Sequence, residues 1–280
     1  MPIPRIIVIG DLHGDIAMLC SCLYMCKIIN TDMEWIAEPP NTVVVQIGDQ
    51  LDSQVRDTDP GWEKIEDLKL LQFTDKLDTI AKRKGGRFIS LIGNHEVMNV
   101  TANFAYVSAH SMEKSGGYLG RMRKFKPGSE YARLLAKRPV VLQLEGVLFC
   151  HAGLLPHHLD LVGGEVEWIN QLLYEVLSGG SVDERGQKLF YDLFMDEKSI
   201  LWNRSYLDGQ KEGSLKSVLE KTGSKAMVIG HNPLEHISTL YEGRLWLTDV
   251  GLSRAFSHSN LEVLEILNGV EFRVIAAVKK

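Results

Sequence analysis

Six side chains of types that bind divalent metal ions follow short apolar segments of the sequence. They are Asp11, His13, Asp49, Asn94, His151 and His231. Five of them end a β-branched apolar run, and glycine directly precedes four of those five. Carboxylates, imidazoles and an amide carbonyl suit hard or borderline ions such as Mn, Fe and Zn better than Cu(I). The sequence therefore predicts a metal site built from several strand ends.

The spacing of these residues bears on the chemistry. Asp11 and His13 are two positions apart, which puts both on the same side of an extended stretch or turn. One carboxylate shared by two ions would hold them about 3.5–4 Å apart, as two-metal hydrolysis requires. A lone Asp or His at a strand end more often caps a helix or satisfies a local hydrogen bond. That explanation does not account for five ligand types at successive strand ends.

The segments that carry these residues predict the fold class. Apolar runs lead into residues 11, 49, 94, 151 and 231, and their continuity indicates strands covered on both faces. Helical periodicity lies between them, at residues 15–29 and 62–84. The alternation predicts an α/β layered sheet, in which ligands bind outside the carboxyl ends of the strands.

The C-terminal part has a different pattern. Residues 261–267 and 270–278 flank Asn268-Gly269, a strong hairpin signal. Together with residues 140–144 and 244–248 they predict antiparallel strands in a second sheet.

Residues 100–135 are rich in Gly, Ser and Lys and predict an insertion over the site. Tyr118 and Arg121 in this segment are candidates for substrate contact. Arg121, Arg123, Lys124 and Lys126 form a basic cluster, which is either a solvated face or a rim that attracts anionic substrate. His157 and His158 follow Pro156 and are interpreted as surface loop residues.

Composition sets the class of protein. The 280 residues are 45% hydrophobic and 24% charged, typical of a globular protein with one large domain, with or without an insertion. No apolar stretch is long enough for a membrane span, and the N-terminus does not have the pattern of a signal peptide. The four cysteines do not form a disulfide framework. We expect a cytoplasmic protein, and the net charge of −5 argues against broad nucleic-acid binding.

The ordered motifs resemble a known family. Residues 10–14 (GDLHG), 48–52 (GDQLD), 93–96 (GNHE), 151–153 (HAG) and 230–231 (GH) resemble the signature of calcineurin-like metallophosphoesterases, within them the phosphoprotein phosphatase superfamily. Residues 93–99, 201–204 and 249–253 are most similar to its bacterial-type branch, the Shewanella-like and diadenosine-tetraphosphatase-like phosphatases. The resemblance covers about residues 5–255.

The resemblance implies an α/β fold, a β-sandwich of two mixed sheets flanked by helices, in one domain over residues 1–280 with a helical insertion at about 100–135. It also implies two divalent ions, with Mn²⁺ expected and Fe or Zn as alternatives. Asp11, His13 and His231 would hold one ion, Asn94 and His151 the other, and Asp49 would bridge both. A hydroxide shared by the ions would attack phosphorus in line, with His95 as general acid and Asp52 orienting it.

The phosphoryl group is expected to contact Arg204, Asn94 and a second arginine. The family pattern GDxxDRG would place that arginine at position 53, where this chain has Ser53. Either a reshaped loop brings Arg56 to the phosphate, or the site binds phosphate with one arginine fewer.

The leading hypothesis is a metal-dependent phosphatase acting on phosphate monoesters, with a phosphorylated protein or a small phosphate compound as partner; serine/threonine and tyrosine specificity are left open. The alternative enzyme hydrolyses phosphoanhydrides in dinucleoside polyphosphates or RNA caps, the one case in which nucleic acid would be a partner. A catalytically silent binding scaffold is the alternative of another class, and the complete set of ligand types argues against it.

Overall fold

Two five-stranded β-sheets carry the strand ends at which the predicted ligands lie. The computed structural model describes residues 2–53, 65, 67–256 and 260–277. The first sheet contains β1 (Arg5–Ile9), β2 (Val43–Gln46), β3 (Arg87–Ser90), β9 (Glu262–Leu267) and β10 (Glu271–Ala276), in the order β10-β9-β1-β2-β3. Strands β1, β2 and β3 pair in parallel, and β9 pairs antiparallel with β1.

The second sheet contains β4 (Val141–Leu144), β5 (Val147–Cys150), β6 (Ala226–Ile229), β7 (Ser238–Leu240) and β8 (Leu245–Leu247). Its order is β4-β5-β6-β8-β7, with β5, β6 and β8 parallel. Both sheets are therefore mixed, as predicted for the fold class.

The sequence-based division of strands between the sheets was wrong in two respects. The C-terminal hairpin forms at Asn268-Gly269, both with positive φ, but its strands β9 and β10 extend the first sheet instead of joining β4 and β8. The five ligand-bearing strands also do not share one sheet, because β5 and β6 belong to the second. Hydrophobic periodicity identifies a strand but does not select its pairing partner.

The helices that the structure describes flank the two sheets. They are α1 (Ile16–Met25), α2 (Asp67–Arg83), α3 (Asn94–Val100), α4 (Ala109–Lys114), α5 (Gly117–Phe125), α6 (Glu130–Ala136), α7 (Pro156–Leu161), α8 (Val166–Leu177), α9 (Glu184–Phe194) and α10 (Glu212–Thr222), with a 3-10 helix at Ser205–Asp208. Helix α1 begins where Asp15 accepts hydrogen bonds from the N–H groups of Ala17 and Met18. Helices α4 and α5 and all but the last residue of α6 lie in the segment predicted as an insertion.

The two sheets pack against each other through fully buried aliphatic side chains. Ile6 and Val8 of β1 belong to the same buried cluster as Val147 and Phe149 of β5 and Val228 of β6. Burial of each such side chain contributes about 1.5–3 kcal/mol. This packing holds the carboxyl ends of both sets of parallel strands at one edge of the molecule. Among the described helices, none has the length and apolarity needed to cross a membrane.

His158 is a buried structural residue, so its interpretation as a surface residue was wrong. Its side chain is fully buried in α7, whereas His157 is exposed. His158 Nδ1 accepts from the Leu155 N–H at 2.9 Å, and Nε2 donates to the Lys198 carbonyl at 2.8 Å. Both bonds need the neutral imidazole, and burial together with the neighbouring His157 lowers the pKa of His158 to about 3.

We predict that His158→Gln reduces the dependence of stability on pH. The unfolded imidazole has a pKa near 6.5, so the unfolded chain takes up a proton below that pH that the native chain excludes. Because of His158, the free energy of unfolding of the wild type should therefore fall as the pH falls below about 6.5. Between pH 7 and pH 5 the free energy of unfolding of the wild type should fall by up to ~2 kcal/mol more than that of the variant. Urea denaturation in the presence of a chelator measures this, and equal losses would contradict the role of His158.

Candidate metal centre and active site

The six predicted ligands converge at the edge where the strands of both sheets end. Asp11 follows β1, Asp49 follows β2, Asn94 opens α3 after β3, His151 follows β5, and His231 follows β6. Five of the six, all except the fully buried His151, line a cavity of about 180 Å³. A larger cavity of about 820 Å³ lies between β4 and α8 and is lined by none of the six. The types of residue that line a cavity, and not its volume, therefore identify the candidate site.

Three imidazoles share one arrangement that sets their tautomers. His13 Nδ1 donates to the Leu51 carbonyl at 3.1 Å, and His151 Nδ1 donates to the Ile47 carbonyl at 2.9 Å. His231 Nε2 donates to the Trp202 carbonyl at 3.2 Å. In the neutral form of each ring, the other nitrogen carries the lone pair. A second-sphere carbonyl on one ring nitrogen is the usual way in which proteins orient a metal-binding histidine.

The side-chain oxygen of Asn94 faces two of these lone pairs. Asn94 Oδ1 lies 2.8 Å from His151 Nε2 and 3.1 Å from His231 Nδ1. Burial and the neighbouring His151 lower the pKa of His231 to about 3, which keeps that ring neutral. Reversing the amide would let its NH₂ group donate to the same atoms and to Asp49. In the present orientation a bound cation would reconcile these acceptors, since neutral imidazole and amide oxygen are ligands that divalent ions accept.

Asp49 lies at the centre of the cluster. Its Oδ2 is 3.3 Å from His151 Nε2 and 3.7 Å from His95 Nε2. Burial favours the neutral acid, but His151 and His95 outweigh that effect and lower the pKa of Asp49 well below its usual range. Burial opposes the charged form of His151 as well, yet Asp49 raises the pKa of that imidazole. Two groups of potential ligand atoms meet at this carboxylate, one with His13 and one with His151 and His231.

Asp11 lies against the backbone of His231 and lines the same cavity. Its carboxylate accepts the N–H of His231 at 3.1 Å. Burial, then Asp249, then Asp49 raise the pKa of Asp11 well above its usual value. A bound cation would favour the charged form of Asp11 beside these carboxylates.

The geometry bears on how the ligands would divide between two ions. The resemblance placed His231 with Asp11 and His13. The imidazole of His231 instead lies beside His151, with ring centroids 5.0 Å apart, and its Nδ1 faces Asn94. His231 therefore groups with Asn94, His151 and Asp49.

Glu96 organises the loop that carries Asp49. Its buried carboxylate accepts four backbone N–H groups, from Gly93 at 2.7 Å, Asp49 and Gln50 at 2.9 Å, and Leu51 at 3.1 Å. These bonds fix the loop against the start of α3. Glu96 is part of the GNHE motif, but sequence reasoning did not assign it a role.

Backbone strain is concentrated at the site. His13, Asp49, Asp52 and His231 have φ values of 40°, 51°, 67° and 67°. A left-handed conformation costs a non-glycine residue about 1–3 kcal/mol and persists only where the surroundings impose it. The site meets that condition, since the backbone carbonyl of Asp49 also accepts the N–H of His13 at 3.0 Å.

Two glycines permit close approach to the ligand carboxylates. A Cβ at Gly93 would lie 2.2 Å from Asp49 Oδ1, and a Cβ at Gly230 would lie 2.3 Å from Asp11 Oδ1. Any side chain at either position would displace a predicted ligand. This is the physical reason for the glycines before Asn94 and His231.

His95 forms a dyad with Asp52 next to the cavity. His95 Nδ1 donates to Asp52 Oδ2 at 2.8 Å, which directs Nε2 towards Asp49. Tyr106 lies against the other side of the ring, with centroids 5.1 Å apart. A carboxylate on Nδ1 holds the imidazole in place and favours a proton on Nε2.

The residues discussed as contacts of the phosphoryl group differ in where the structure places them. Arg204 is exposed and lines the cavity, where its Nη1 donates to Asn232 Oδ1 at 2.6 Å. Arg56 lies outside the described residues. Ser53 is buried, and its Oγ is 3.2 Å from Ser108 Oγ of the insertion. The side chain at the position of the expected arginine therefore points into the protein.

The insertion does not present its candidates to the cavity. Arg121 is fully buried, so it is no longer a candidate for substrate contact, and its interpretation as part of a solvated basic cluster was wrong. Tyr118 is 54% exposed and does not line the cavity. The residue of this region that does line it is Tyr106, which the sequence pattern did not single out. Asp249 and Trp202 line it too.

Comparison with known proteins agrees with this geometry. The family model of calcineurin-like phosphoesterases matches residues 4–264. An uncharacterized protein of Acanthamoeba polyphaga mimivirus is 33% identical over 252 residues, which cover 74% of this chain and 99% of that protein. Shewanella-like protein phosphatase 2 of Arabidopsis thaliana is 25% identical over 322 residues, which cover 98% of this chain and 78% of that protein.

A solved structure shares the fold. The cold-active protein-tyrosine phosphatase of a psychrophilic Shewanella species superposes with a TM-score of 0.77 at 20% identity, covering 98% of this chain and 80% of that one. The family match spans every predicted ligand and all strands from β1 to β8. The chain therefore belongs to the calcineurin-like phosphoesterases, a family of metal-dependent phosphoric ester hydrolases.

Proposed function

We propose that the chain hydrolyses phosphate monoesters, with phosphoproteins as its substrate class. The observation that carries the proposal is the convergence of acceptor atoms from Asn94, His151, His231 and Asp49 beside the His95–Asp52 dyad. This arrangement suits cation-assisted cleavage with a proton donor at the leaving group. The phosphoprotein class is supported by the names of the relatives, which include a Shewanella-like protein phosphatase.

We propose further that two divalent ions bind, with Mn²⁺ the expected metal and Fe or Zn as alternatives. Asp11 and His13 would hold one ion. Asn94, His151 and His231 would hold the other, and Asp49 would contact both. The donors fit, because a backbone carbonyl orients each imidazole through one ring nitrogen and leaves the other for a ligand.

The chain's own residues would then act as follows. When bound, the ions supply charge neutralisation for the phosphoryl oxygens and acidify the attacking water. His95 Nε2 holds the proton that passes to the leaving oxygen, and ionised Asp52 stabilises the imidazolium through Nδ1. Arg204 and Asn94 would orient the phosphoryl group, and Arg56 is proposed as a second arginine.

The size of the cavity bears on the substrate. About 180 Å³ is well below the roughly 300–1,000 Å³ of sites that enclose a small-molecule ligand. A phosphoryl group fits inside while its leaving group projects outwards. This favours a monoester on a larger molecule over an enclosed dinucleoside polyphosphate.

We propose that the chain works as a single metallophosphoesterase domain with the insertion at about residues 100–135, since both sheets contribute ligands.

A cytoplasmic location is supported by the cysteines, all four unpaired. Burial raises the pKa of the Cys22, Cys26 and Cys150 thiols and keeps them unreactive.

We predict that the Mn²⁺-loaded protein hydrolyses p-nitrophenyl phosphate and phosphopeptides. Turnover should be lost after chelation and restored by Mn²⁺, because the acceptor cluster alone does not stabilise phosphoryl charge. Phosphoserine and phosphotyrosine peptides, a dinucleoside polyphosphate and capped RNA should be assayed in parallel. Faster turnover of either anhydride than of every monoester would contradict the proposed substrate class.

We predict that Asp49→Asn and His95→Asn both lower turnover strongly, for different reasons. Asp49→Asn should lose bound metal, whereas His95→Asn should keep the full metal content and lose kcat by about 10²–10⁴-fold. Metal analysis after gel filtration is a sharp test, because His95 also lies within reach of an ion beside His13 and Asp49. Loss of an ion in His95→Asn would make His95 a ligand instead of the acid.

A further inference from the structure

Arg121 is buried in the insertion and saturates its hydrogen-bonding capacity with side chains around the catalytic dyad. Its Nε donates to Asn99 Oδ1 at 2.6 Å, and Nη1 donates to Ser115 Oγ at 3.2 Å and Asp67 Oδ1 at 3.3 Å. Nη2 donates to Asp67 Oδ2 at 2.7 Å and Asp52 Oδ1 at 3.3 Å. A guanidinium has five N–H groups, and each has an acceptor here.

The contact to Asp52 connects Arg121 with His95. Asp52 Oδ2 receives His95 Nδ1 at 2.8 Å, so its Oδ1 is left for other partners. Arg121 Nη2 and Asn99 Nδ2, the latter at 2.8 Å, both donate to that Oδ1. Because Asn99 Oδ1 is held by Arg121, the amide of Asn99 must turn its nitrogen to Asp52. Arg121 therefore fixes the Asp52 carboxylate directly and through Asn99.

Charge gives a second reason for this residue. The side chains of Asp52 and Asp67 are 0% and 1% exposed, and both form ion pairs with Arg121. The Asp52 N–H also donates to Asp67 Oδ2 at 3.2 Å, which shows how closely the two acidic residues approach. Removal of the guanidinium would leave two buried carboxylates without this cation. The Asp52 carboxylate would then turn towards other hydrogen-bond donors.

We propose that Arg121 is a positioning residue for the reaction, which holds Asp52 in the orientation that supports proton donation by His95. The inference rests on the proposed role of His95 as general acid. Arg121 itself does not touch substrate, since its side chain is fully buried and packs against Phe104 and Phe125. The insertion thereby contributes to catalysis from behind the dyad and not from the rim of the cavity.

The test uses aryl phosphates whose leaving groups differ in their need for a proton. In Arg121→Met, kcat for phenyl phosphate should fall about 10–100-fold, the range found when a partner behind a site residue is removed. For 2,4-dinitrophenyl phosphate, whose phenolate leaves unprotonated, kcat should fall less than about threefold. KM should stay near the wild-type value for both esters. Arg121→Lys, which keeps the charge and some donors, should lie between the two proteins.

The matched control is Arg123→Met on the same helix, where the side chain is exposed and the leaving-group dependence should equal that of wild type. Equal losses on both esters in Arg121→Met would overturn the inference in favour of a structural role. If that variant does not fold, Arg121→Lys carries the comparison with the same criterion.

His95→Asn separates this inference from the proposed function. If His95→Asn shows no leaving-group dependence, the general-acid assignment itself fails. If His95→Asn loses more kcat on phenyl phosphate than on 2,4-dinitrophenyl phosphate and the Arg121 variants do not, only the inference about Arg121 fails. In a His95→Asn background, Arg121→Met should add no further leaving-group dependence.

Discussion

The convergence of potential metal ligands on one buried point is the constraint on which the rest of this structure depends. Asn94 Oδ1, His151 Nε2 and His231 Nδ1 meet next to the carboxylate of Asp49 in a buried site. Such a cluster of acceptors is unfavourable on its own, and a divalent cation turns the repulsion into coordination. The folded protein therefore holds a strained backbone and ordered hydrogen-bond partners at this site before any metal binds.

The supporting interactions are arranged around that requirement. Glu96 accepts three N–H groups of the loop after β2 and that of Gly93 before α3, which balances the left-handed backbone at Asp49. Gly93 and Gly230 admit the ligand carboxylates at distances that a side chain would forbid. Behind His95, Asp52 connects the site to the insertion through Arg121. The packing of the two sheets against each other holds these residues in fixed positions around the site.

Sequence reasoning found the ligand types because strand ends have a clear pattern: an apolar run, a glycine and a polar residue. It predicted the class of fold and the C-terminal hairpin for the same reason, since periodicity and turn residues are local signals. It could not assign the hairpin to its sheet, because pairing depends on contacts distant in sequence. His158 and Arg121 were misplaced because a polar side chain is buried only when the fold supplies its partners. Tyr106 carried no local signal at all.

The most direct test of the central claim is anomalous diffraction from crystals grown with Mn²⁺. Two peaks should appear, one in contact with Asp11 and His13 and one in contact with Asn94, His151 and His231, with Asp49 between them. A single peak, or a pair of peaks that does not include Asp49, would contradict the account of a shared carboxylate at the centre of the site.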